Sequence, residues 1–220
     1  MKYVSTIGKC PPATFRDAIF SGLAPDGGLF VPEKLPSLPK PFLHDLPNRS
    51  LHDIGTEVCS LFVDDLSNDE IGEVVRGALS FPIPLVALEQ NLYLLELFHG
   101  PTLAFKDVGA RFLARILSSY LRIERRPMTI LVATSGDTGS AVAHGFHQVE
   151  GIEVIVLYPS GKISRLQELQ MTTLGGNICA VEVEGTFDDC QRMVREVLSD
   201  RELSSRRQLT TANSMNLGRL

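Results

Sequence analysis

The sequence predicts an α/β protein whose open, mostly parallel sheet has helices on both faces and is preceded by a smaller N-terminal α+β domain. Two observations lead to this prediction. After residue 89, apolar strands alternate with amphipathic helices, which is the pattern of repeated βα units. The runs TILVAT (129–134) and IEVIVLY (152–158) are as apolar as strands of a parallel sheet buried on both faces. We therefore expect an N-terminal domain over residues 1–88 and an incomplete α/β domain over residues 89–220.

The first 88 residues are predicted to mix short strands with helices. MKYVS at the start favours a strand, TFRDAIFSGL favours a short helix, and the Pro- and Gly-rich run 24–41 favours a connection with turns. Two helices follow, in 50–63 and in 67–79. The second has a capping-box pattern, Ser67 with Glu70, which fixes its first turn.

The remaining residues are predicted to alternate strictly between strand and helix. A helix over 105–121 is indicated by apolar residues at three- and four-residue spacing, including Phe105, Val108 and Phe112. We expect strands in 91–98, 129–134, 152–159, 178–184 and 208–212, and further helices in 138–148, from Ser164 onward and in 188–198. In such a sheet, ligands bind at the carboxyl ends of the strands.

Composition excludes several classes of function. The net charge is −5, the basic residues are scattered and there is no Trp, so we expect no nucleic-acid partner. No apolar run approaches the roughly 20 residues of a membrane helix, and the N-terminus lacks the apolar core of a signal peptide. We therefore expect no membrane partner and a cytoplasmic location.

Metal and disulfide chemistry are not expected. His144 and His147 lie three residues apart on a predicted helix, but no third ligand is suitably spaced. The four cysteines form no CxxC pair, which favours reduced thiols over a disulfide or a zinc site: Cys10, Cys59, Cys179 and Cys190.

The turn TSGDTGSA (134–141) is the first candidate site. It joins a strand to a helix, its glycines let the backbone bend sharply, and N–H groups at a helix start bind carboxylates or phosphates. It is neither a P-loop nor a dinucleotide fingerprint. The hydroxyls of Thr134, Ser135, Thr138 and Ser140 add possible donors. On its own, the turn is equally consistent with anion binding and with a polar turn that binds nothing.

Lys106 is the second candidate, because it lies where a helix is predicted to begin. Burial and a helix N-terminus both disfavour a charged amine, and a lysine that attacks a carbonyl must be neutral when it reacts. Position alone favours a lysine that extends into solvent. However, two unusual turns in consecutive βα units are expected to converge at one edge of the sheet, which favours a functional lysine.

Two weaker candidates lie further along the chain. Lys162, in PSGKIS (159–164), follows a strand and could meet an anionic substrate or simply be exposed. The segment NSMNLGR (213–219) gathers amides, a hydroxyl and a guanidinium suited to binding phosphate, and could equally be a polar loop: Asn213, Ser214, Asn216 and Arg219.

Several of these motifs together resemble the threonine synthase family, pyridoxal-phosphate enzymes of the tryptophan synthase β-like fold (fold type II). The resemblance rests on HGPTLAFKD (99–107), ATSGDTGSA (133–141), YPSGKIS (158–164), LQELQMTTLGGNI (166–178) and ANSMN (212–216). The opening YVSTIG and the later GLAPDGGLFVP are also similar to that family's N-terminal region. The resemblance covers residues 3–219 and implies an enzyme that converts O-phospho-L-homoserine and water to L-threonine and phosphate.

The resemblance also implies residue roles. Lys106 would bind pyridoxal phosphate covalently and move protons at the substrate's carbons. The turn Ser135–Thr138 would hold the substrate's α-carboxylate. The segment 213–219 would approach the substrate's phosphate through Asn213, Ser214, Asn216 and Arg219.

One departure from the family limits these implications. The family's loop for the cofactor phosphate, and the hydroxyl residue facing its pyridine nitrogen, are expected beyond Leu220. The sequence therefore resembles an N-terminal half, and we expect the 220-residue chain to bind the cofactor poorly, to be inactive alone and to self-associate. Two alternatives stay open: a related phospholyase that releases a 2-oxo acid, and a non-catalytic folding or interaction module.

Overall fold

The N-terminal part of the fold combines one antiparallel strand pair with short helices. A computed structural model describes residues 1–124 and 127–219. In chain order, the first elements are β1 (Tyr3–Ser5), α1 (Phe15–Ser21), β2 (Phe30–Pro32), α2 (Lys40–Asp45), a 3₁₀ helix (Leu46–Asn48), α3 (Leu51–Ser60) and α4 (Asn68–Ala78). Strand β1 pairs with β2, so this part has the α+β character that its sequence predicts.

The rest of the described chain consists mainly of strands and helices in alternation. The elements are β3 (Leu85–Glu89), β4 (Leu92–Leu95), α5 (Lys106–Glu124), β5 (Met128–Ala133), α6 (Asp137–Phe146), β6 (Ile152–Pro159), α7 (Arg165–Thr172), β7 (Ile178–Val183), α8 (Phe187–Ser199), α9 (Arg201–Arg206), β8 (Gln208–Thr211) and a 3₁₀ helix (Leu217–Arg219). The predicted strands and helices in this region are all present, with ends that differ by a few residues.

A four-stranded parallel sheet in the order β7-β6-β5-β8 lies at the centre of the fold. On one face, Ile130, Val132 and Val154 belong to a core shared with α5 and α6. On the other face, Leu131 and Leu157 pack against Cys190 and Val194 of α8. Burial on both faces explains why these strands are so apolar, and it confirms the predicted fold class.

The capping box predicted at α4 is confirmed. The Ser67 hydroxyl accepts a hydrogen bond from the Glu70 backbone N–H, and the Glu70 carboxylate accepts one from the Ser67 backbone N–H. Equivalent pairs begin α3, α7 and α8, with Asp53, Gln167 and Asp189 as the third residue of the respective helix. Each pair satisfies N–H groups that the first turn leaves without helical partners.

The strand before α5 does not belong to the parallel sheet, contrary to the expectation from the sequence. Strand β4 instead forms an antiparallel hairpin with β3, and every residue of both strands is exposed. The prediction that strand 91–98 and the helix beginning at Lys106 form a βα unit of the parallel sheet is therefore wrong, because β3 offers β4 a partner only three residues away. The predicted domain boundary after residue 88 falls within β3, and the division into domains stays a prediction.

The N-terminal elements share a single core with the parallel sheet. Ile19 of α1 and Val75 of α4 belong to the same buried cluster as Leu113 and Leu117 of α5. The backbone carbonyl of Ile19 also accepts hydrogen bonds from Thr210 and Asn216. Within residues 1–124 and 127–219, no helix is long and apolar enough to cross a membrane.

Candidate active site

Lys106 is the first residue of α5 and is only partly buried. Its side chain is 24% exposed, and its Nζ lies 3.5 Å from Asp137 Oδ2. The same Nζ lies 4.4 Å from the centroid of the exposed Phe105 ring, a distance suited to a cation–π contact. The amine is therefore accessible from solvent and faces both a carboxylate and an aromatic ring.

The loop before Lys106 is fixed by Asp107, whose side chain is fully buried. One carboxylate oxygen of Asp107 accepts the Thr102 backbone N–H at 2.9 Å, and the other accepts the Thr102 hydroxyl at 2.7 Å. Gly100 lies against the same carboxylate, where a Cβ atom would collide with it. Because a buried carboxylate needs such partners, Asp107 turns inward and leaves its neighbour Lys106 to turn outward.

The turn between β5 and α6 is built around Thr134. Its buried hydroxyl oxygen accepts the N–H groups of Gly136 (2.9 Å) and Gly139 (2.7 Å). Gly136 has φ of 132° and ψ of −86°, a conformation that residues with a Cβ avoid. The hydroxyls of Thr134 and Ser140 bond to backbone carbonyls inside the fold, so they are not the free donors that the sequence suggests.

The turn presents backbone N–H groups with no partner in the described chain. Those of Ser135, Asp137 and Thr138 make no hydrogen bond to any described residue, whereas the neighbouring Gly136 and Gly139 N–H groups are bonded to Thr134. Orphan N–H groups at a helix start, together with the helix dipole, favour a bound anion. This part of the site can hold a carboxylate or a phosphate.

Asp137 connects Lys106 with a third turn. Its side chain is half-exposed, and its second oxygen, Oδ1, accepts a hydrogen bond of 2.7 Å from Gln167 Nε2 at the start of α7. The expected convergence of the turns is therefore observed, although one of its premises was wrong. Residues from the starts of α5, α6 and α7 meet at the carboxyl edge of the sheet.

Two predicted residues make no hydrogen bond or ion pair with these turns. Lys162 is exposed in the turn after β6, and Ser214 is exposed in the segment after β8. Neither side chain makes a hydrogen bond or an ion pair with any described residue. Both stay candidates for contact with a ligand.

Asn213 holds the last residue of β5, where the turn begins. Its Nδ2 donates to the Ala133 carbonyl at 2.8 Å, and its Oδ1 accepts the Ala133 N–H at 3.2 Å. The amide thereby extends the β5–β8 pairing to two residues beyond its last pair, Leu131 and Thr211. Asn213 positions the backbone that leads into Thr134, and a contact with substrate is not needed to explain its side chain.

Asn216 lies in the interior, where the direct contact with substrate implied by the resemblance is not supported. Its Nδ2 donates to the carbonyls of Ile19 and Thr211, and its Oδ1 accepts the Gly218 N–H. The side chain is fully buried, with both ends of the amide bonded to protein atoms. Asn216 therefore joins α1 to the end of β8.

Arg219 lies against Gly109 of α5 and donates to the Ala212 carbonyl at 2.7 Å. Its Nε is buried and has no partner within the described residues, and burial lowers the pKa of the guanidinium to about 10. An unsatisfied buried donor is costly, so this position favours an anionic or acceptor partner.

Sequence reasoning missed Asp107, Thr134 and Gln167 as organising residues. For Gln167 a signal was present, since Ser164-x-x-Gln167 is a capping-box pattern. That pattern predicts the cap but not the bond to Asp137, which depends on how two helices pack. No group of three or more metal-ligating side chains occurs among the residues that the structure describes.

Comparison with known protein families identifies the family to which the chain belongs. Residues 80–216, more than half of the chain, match the family "Pyridoxal-phosphate dependent enzyme". The chain belongs to this family. Residues 2–79 match "Threonine synthase N terminus", and the two matches meet between residues 79 and 80, ahead of the β3–β4 hairpin. The resemblance to threonine synthase seen in the sequence is confirmed.

Individual relatives agree with the family match. The chain is 46% identical to threonine synthase of Haemophilus influenzae and 43% identical to that of Escherichia coli, with 94% of this chain and 48% of each relative aligned. The crystal structure of the Escherichia coli enzyme superposes with a TM-score of 0.92 at 41% identity, over 100% of this chain and 51% of that one.

A threonine synthase from Brucella melitensis, described as bound to pyridoxal phosphate, superposes with a TM-score of 0.91 at 38% identity. This alignment covers 100% of this chain and 49% of the Brucella chain. The chain thus spans about half the length of the relatives that it matches.

Proposed function

We propose that this chain supplies the reactive lysine and the carboxylate-binding turn of a threonine synthase, which converts O-phospho-L-homoserine and water to L-threonine and phosphate. One observation carries the proposal: an accessible lysine amine lies 3.5 Å from Asp137, at the start of a helix whose first N–H groups have no partner in the described chain. An amine beside an anion site is what an amino-acid substrate and a carbonyl cofactor require.

The residues present fit the aldehyde end of pyridoxal phosphate. A primary amine must reach the aldehyde, and the Lys106 side chain is partly exposed at a point where three turns meet. None of the described residues is assigned to the cofactor phosphate or to the pyridine nitrogen.

In this proposal each residue has a limited task. The chemistry that pyridoxal phosphate supplies when bound is the withdrawal of electrons from a substrate carbon. The N–H groups of Ser135, Asp137 and Thr138 hold the substrate's α-carboxylate and so fix its orientation. The Lys106 amine accepts and returns protons at the substrate's α, β and γ carbons.

The other polar residues are assigned by their surroundings. Lys162, Ser214 and Arg219 are proposed to approach the substrate's phosphate, since each retains donor capacity that no described residue uses. Asn213 and Asn216 are proposed to hold the backbone between β5, β8 and α1, because their amides bond to it. A cytoplasmic location stays a prediction from the sequence.

The test is the identity of the product. The protein expressed from the complete gene would be supplied with pyridoxal phosphate and O-phospho-L-homoserine, and the released phosphate and organic product would be measured. We expect L-threonine and phosphate in equal amounts, and neither from the Lys106→Ala variant. A 2-oxo acid in place of threonine would instead identify a phospholyase, and folded protein that releases no phosphate would contradict both.

A further inference from the structure

Gln167 occupies a position where its amide is used at both ends. Its Oε1 accepts the backbone N–H (3.1 Å) and the hydroxyl (3.0 Å) of Ser164, which caps α7. Because these bonds fix the carbonyl end, the Nε2 end is directed away from α7 and donates to Asp137 Oδ1 at 2.7 Å. The side chain therefore joins the start of α7 to the start of α6.

The cap alone does not explain why this residue is a glutamine. Four capping boxes occur in the described chain, and the other three use a carboxylate in this role: Asp53, Glu70 and Asp189. A carboxylate at 167 would cap α7 equally well, but it would lie at hydrogen-bonding distance from the carboxylate of Asp137. Only an amide can accept from Ser164 and at the same time donate to Asp137.

The bond to Asp137 determines what Lys106 faces. With Oδ1 occupied by Gln167, Asp137 turns Oδ2 toward the Lys106 amine. Within the described chain, Asp137 is the only carboxylate at ion-pairing distance from that amine, because Asp107 turns inward to Thr102 and Glu168 of α7 pairs with Arg165.

Gly136 gives the same side chain a second contact with the turn. A Cβ atom at residue 136 would collide with the Gln167 amide, so the amide packs directly on this backbone. The Ser140 hydroxyl also donates to the backbone carbonyl of Gln167 at 3.3 Å, a further link between α6 and α7. Gln167 is thus in contact with the proposed carboxylate-binding turn as well as with Asp137.

We propose that Gln167 is a positioning residue that acts on Lys106 through Asp137. It holds the Asp137 carboxylate toward the amine and supports the backbone of the adjoining turn. This inference rests on the proposed function for its significance, but the coupling itself is a property of the chain alone.

The test is the chemical reactivity of Lys106 in Gln167→Glu. This change keeps an acceptor for Ser164 and removes the donor to Asp137, while it adds a negative charge near the amine. The expected result is a slower reaction of Lys106 with acetic anhydride, roughly two- to fivefold, because the added charge favours the unreactive ammonium form. Peptide mapping would give the labelling of Lys106 relative to the exposed Lys34 in the same molecule.

A matched control is Glu70→Gln, the opposite exchange in the capping box of α4, which should leave the ratio of Lys106 to Lys34 labelling unchanged. In the double variant Gln167→Glu with Asp137→Asn, the amide and carboxylate exchange places and the hydrogen bond between the residues is restored. This double variant is expected to fold even if Gln167→Glu alone does not, and to label Lys106 more slowly than Asp137→Asn alone.

The coupling is overturned if folded Gln167→Glu labels Lys106 at the rate of the unmodified protein. It is also overturned if Gln167→Glu slows the labelling by the same factor in the Asp137→Asn background, as a charge that acts independently of Asp137 would. The labelling requires no cofactor. Failure of the proposed function, seen as absence of threonine formation, is therefore distinguishable from failure of this inference.

Discussion

At the scale of the residue, Gly136 shows how far the candidate site depends on one backbone conformation. Its φ of 132° is poorly accessible to residues with a Cβ, and a Cβ there would strike Gln167. We expect Gly136→Ala to lower the free energy of unfolding by about 2–4 kcal/mol, from backbone strain and overpacking together. Urea unfolding followed by circular dichroism would measure this loss.

Gly151→Ala is the matched control for this prediction. Gly151 also has a positive φ, 77°, but a Cβ there would meet no atom within 4 Å. In Gly151→Ala the free energy of unfolding should fall by about 1–2 kcal/mol, from backbone strain alone. Equal losses for the two variants would show that the contact between Gly136 and Gln167 contributes nothing to stability.

Residue identities could be predicted from the sequence more reliably than their contacts. Lys106 and the turn 134–138 were singled out because lysine at a helix start and a Gly-rich turn are locally unusual. The directions of Asn213 and Asn216 were not predictable, since an amide bonds equally well to a ligand or to a backbone carbonyl. Their partners, Ala133 and Ile19, lie 80 and 197 residues away in the chain.

At the scale of the element, α8 illustrates how a cap links helix stability to pH. Thr186 accepts the Asp189 N–H, and the Asp189 carboxylate accepts the Thr186 N–H and hydroxyl. We expect Thr186→Ala to lower the free energy of unfolding by about 1 kcal/mol at neutral pH. Thr172→Ala in α7, whose hydroxyl bonds only within its own helix, should change it by less than about 0.5 kcal/mol.

The same capping interaction predicts that the stability of the fold falls at acid pH. The hydrogen bonds from the Thr186 backbone and side chain, followed by that from Arg192, lower the pKa of Asp189 from 3.8 to about 2. The carboxylate form therefore stabilises the fold above pH 4, and this contribution is lost as the pH falls from 4 toward 2. In Asp189→Asn the free energy of unfolding should fall less steeply as the pH is lowered from 4 toward 2. Urea titrations at several pH values would measure this dependence. A dependence on pH equal to that of the unmodified protein would contradict the assignment.

Elements with strong local signals were predicted well, and those that depend on a distant or unusual partner were not. The capping box of Ser67 with Glu70 and the apolar strands of the parallel sheet are properties of short segments. Strand β3 was not predicted, and β4 was assigned to the wrong sheet, because LVALE and LYLL are as apolar as buried strands although the structure leaves both exposed. Apolar composition shows that a strand can be buried, not which sheet it joins.

At the scale of the whole molecule, the hairpin formed by β3 and β4 exposes an apolar surface in the described structure. The side chains concerned are more than 40% exposed: Leu85, Leu88, Leu92, Tyr93, Leu94 and Leu95. Such a surface, with unpaired strand edges, favours association. We expect the 220-residue chain to form concentration-dependent oligomers in sedimentation velocity.

Substitution on the hairpin would locate this association. Leu85→Lys combined with Tyr93→Lys should shift the 220-residue chain toward monomer, whereas Leu35→Lys, at an exposed position in the N-terminal connection, should have no effect. A chain that is monomeric at every concentration, or that responds equally to all three substitutions, would show that the hairpin is not the associating surface.

Residues from the starts of α5, α6 and α7 converge beside Lys106. Covalent attachment of pyridoxal phosphate to this lysine is the most direct test of the proposed function. The protein expressed from the complete gene would be incubated with pyridoxal phosphate, reduced with borohydride and mapped by mass spectrometry, with Lys106→Arg as the control because arginine cannot form the bond. We predict one modified peptide, carrying the cofactor on Lys106, and none in the control. Modification of Lys162, or equal labelling of several lysines, would contradict the assignment of Lys106 as the cofactor-binding residue.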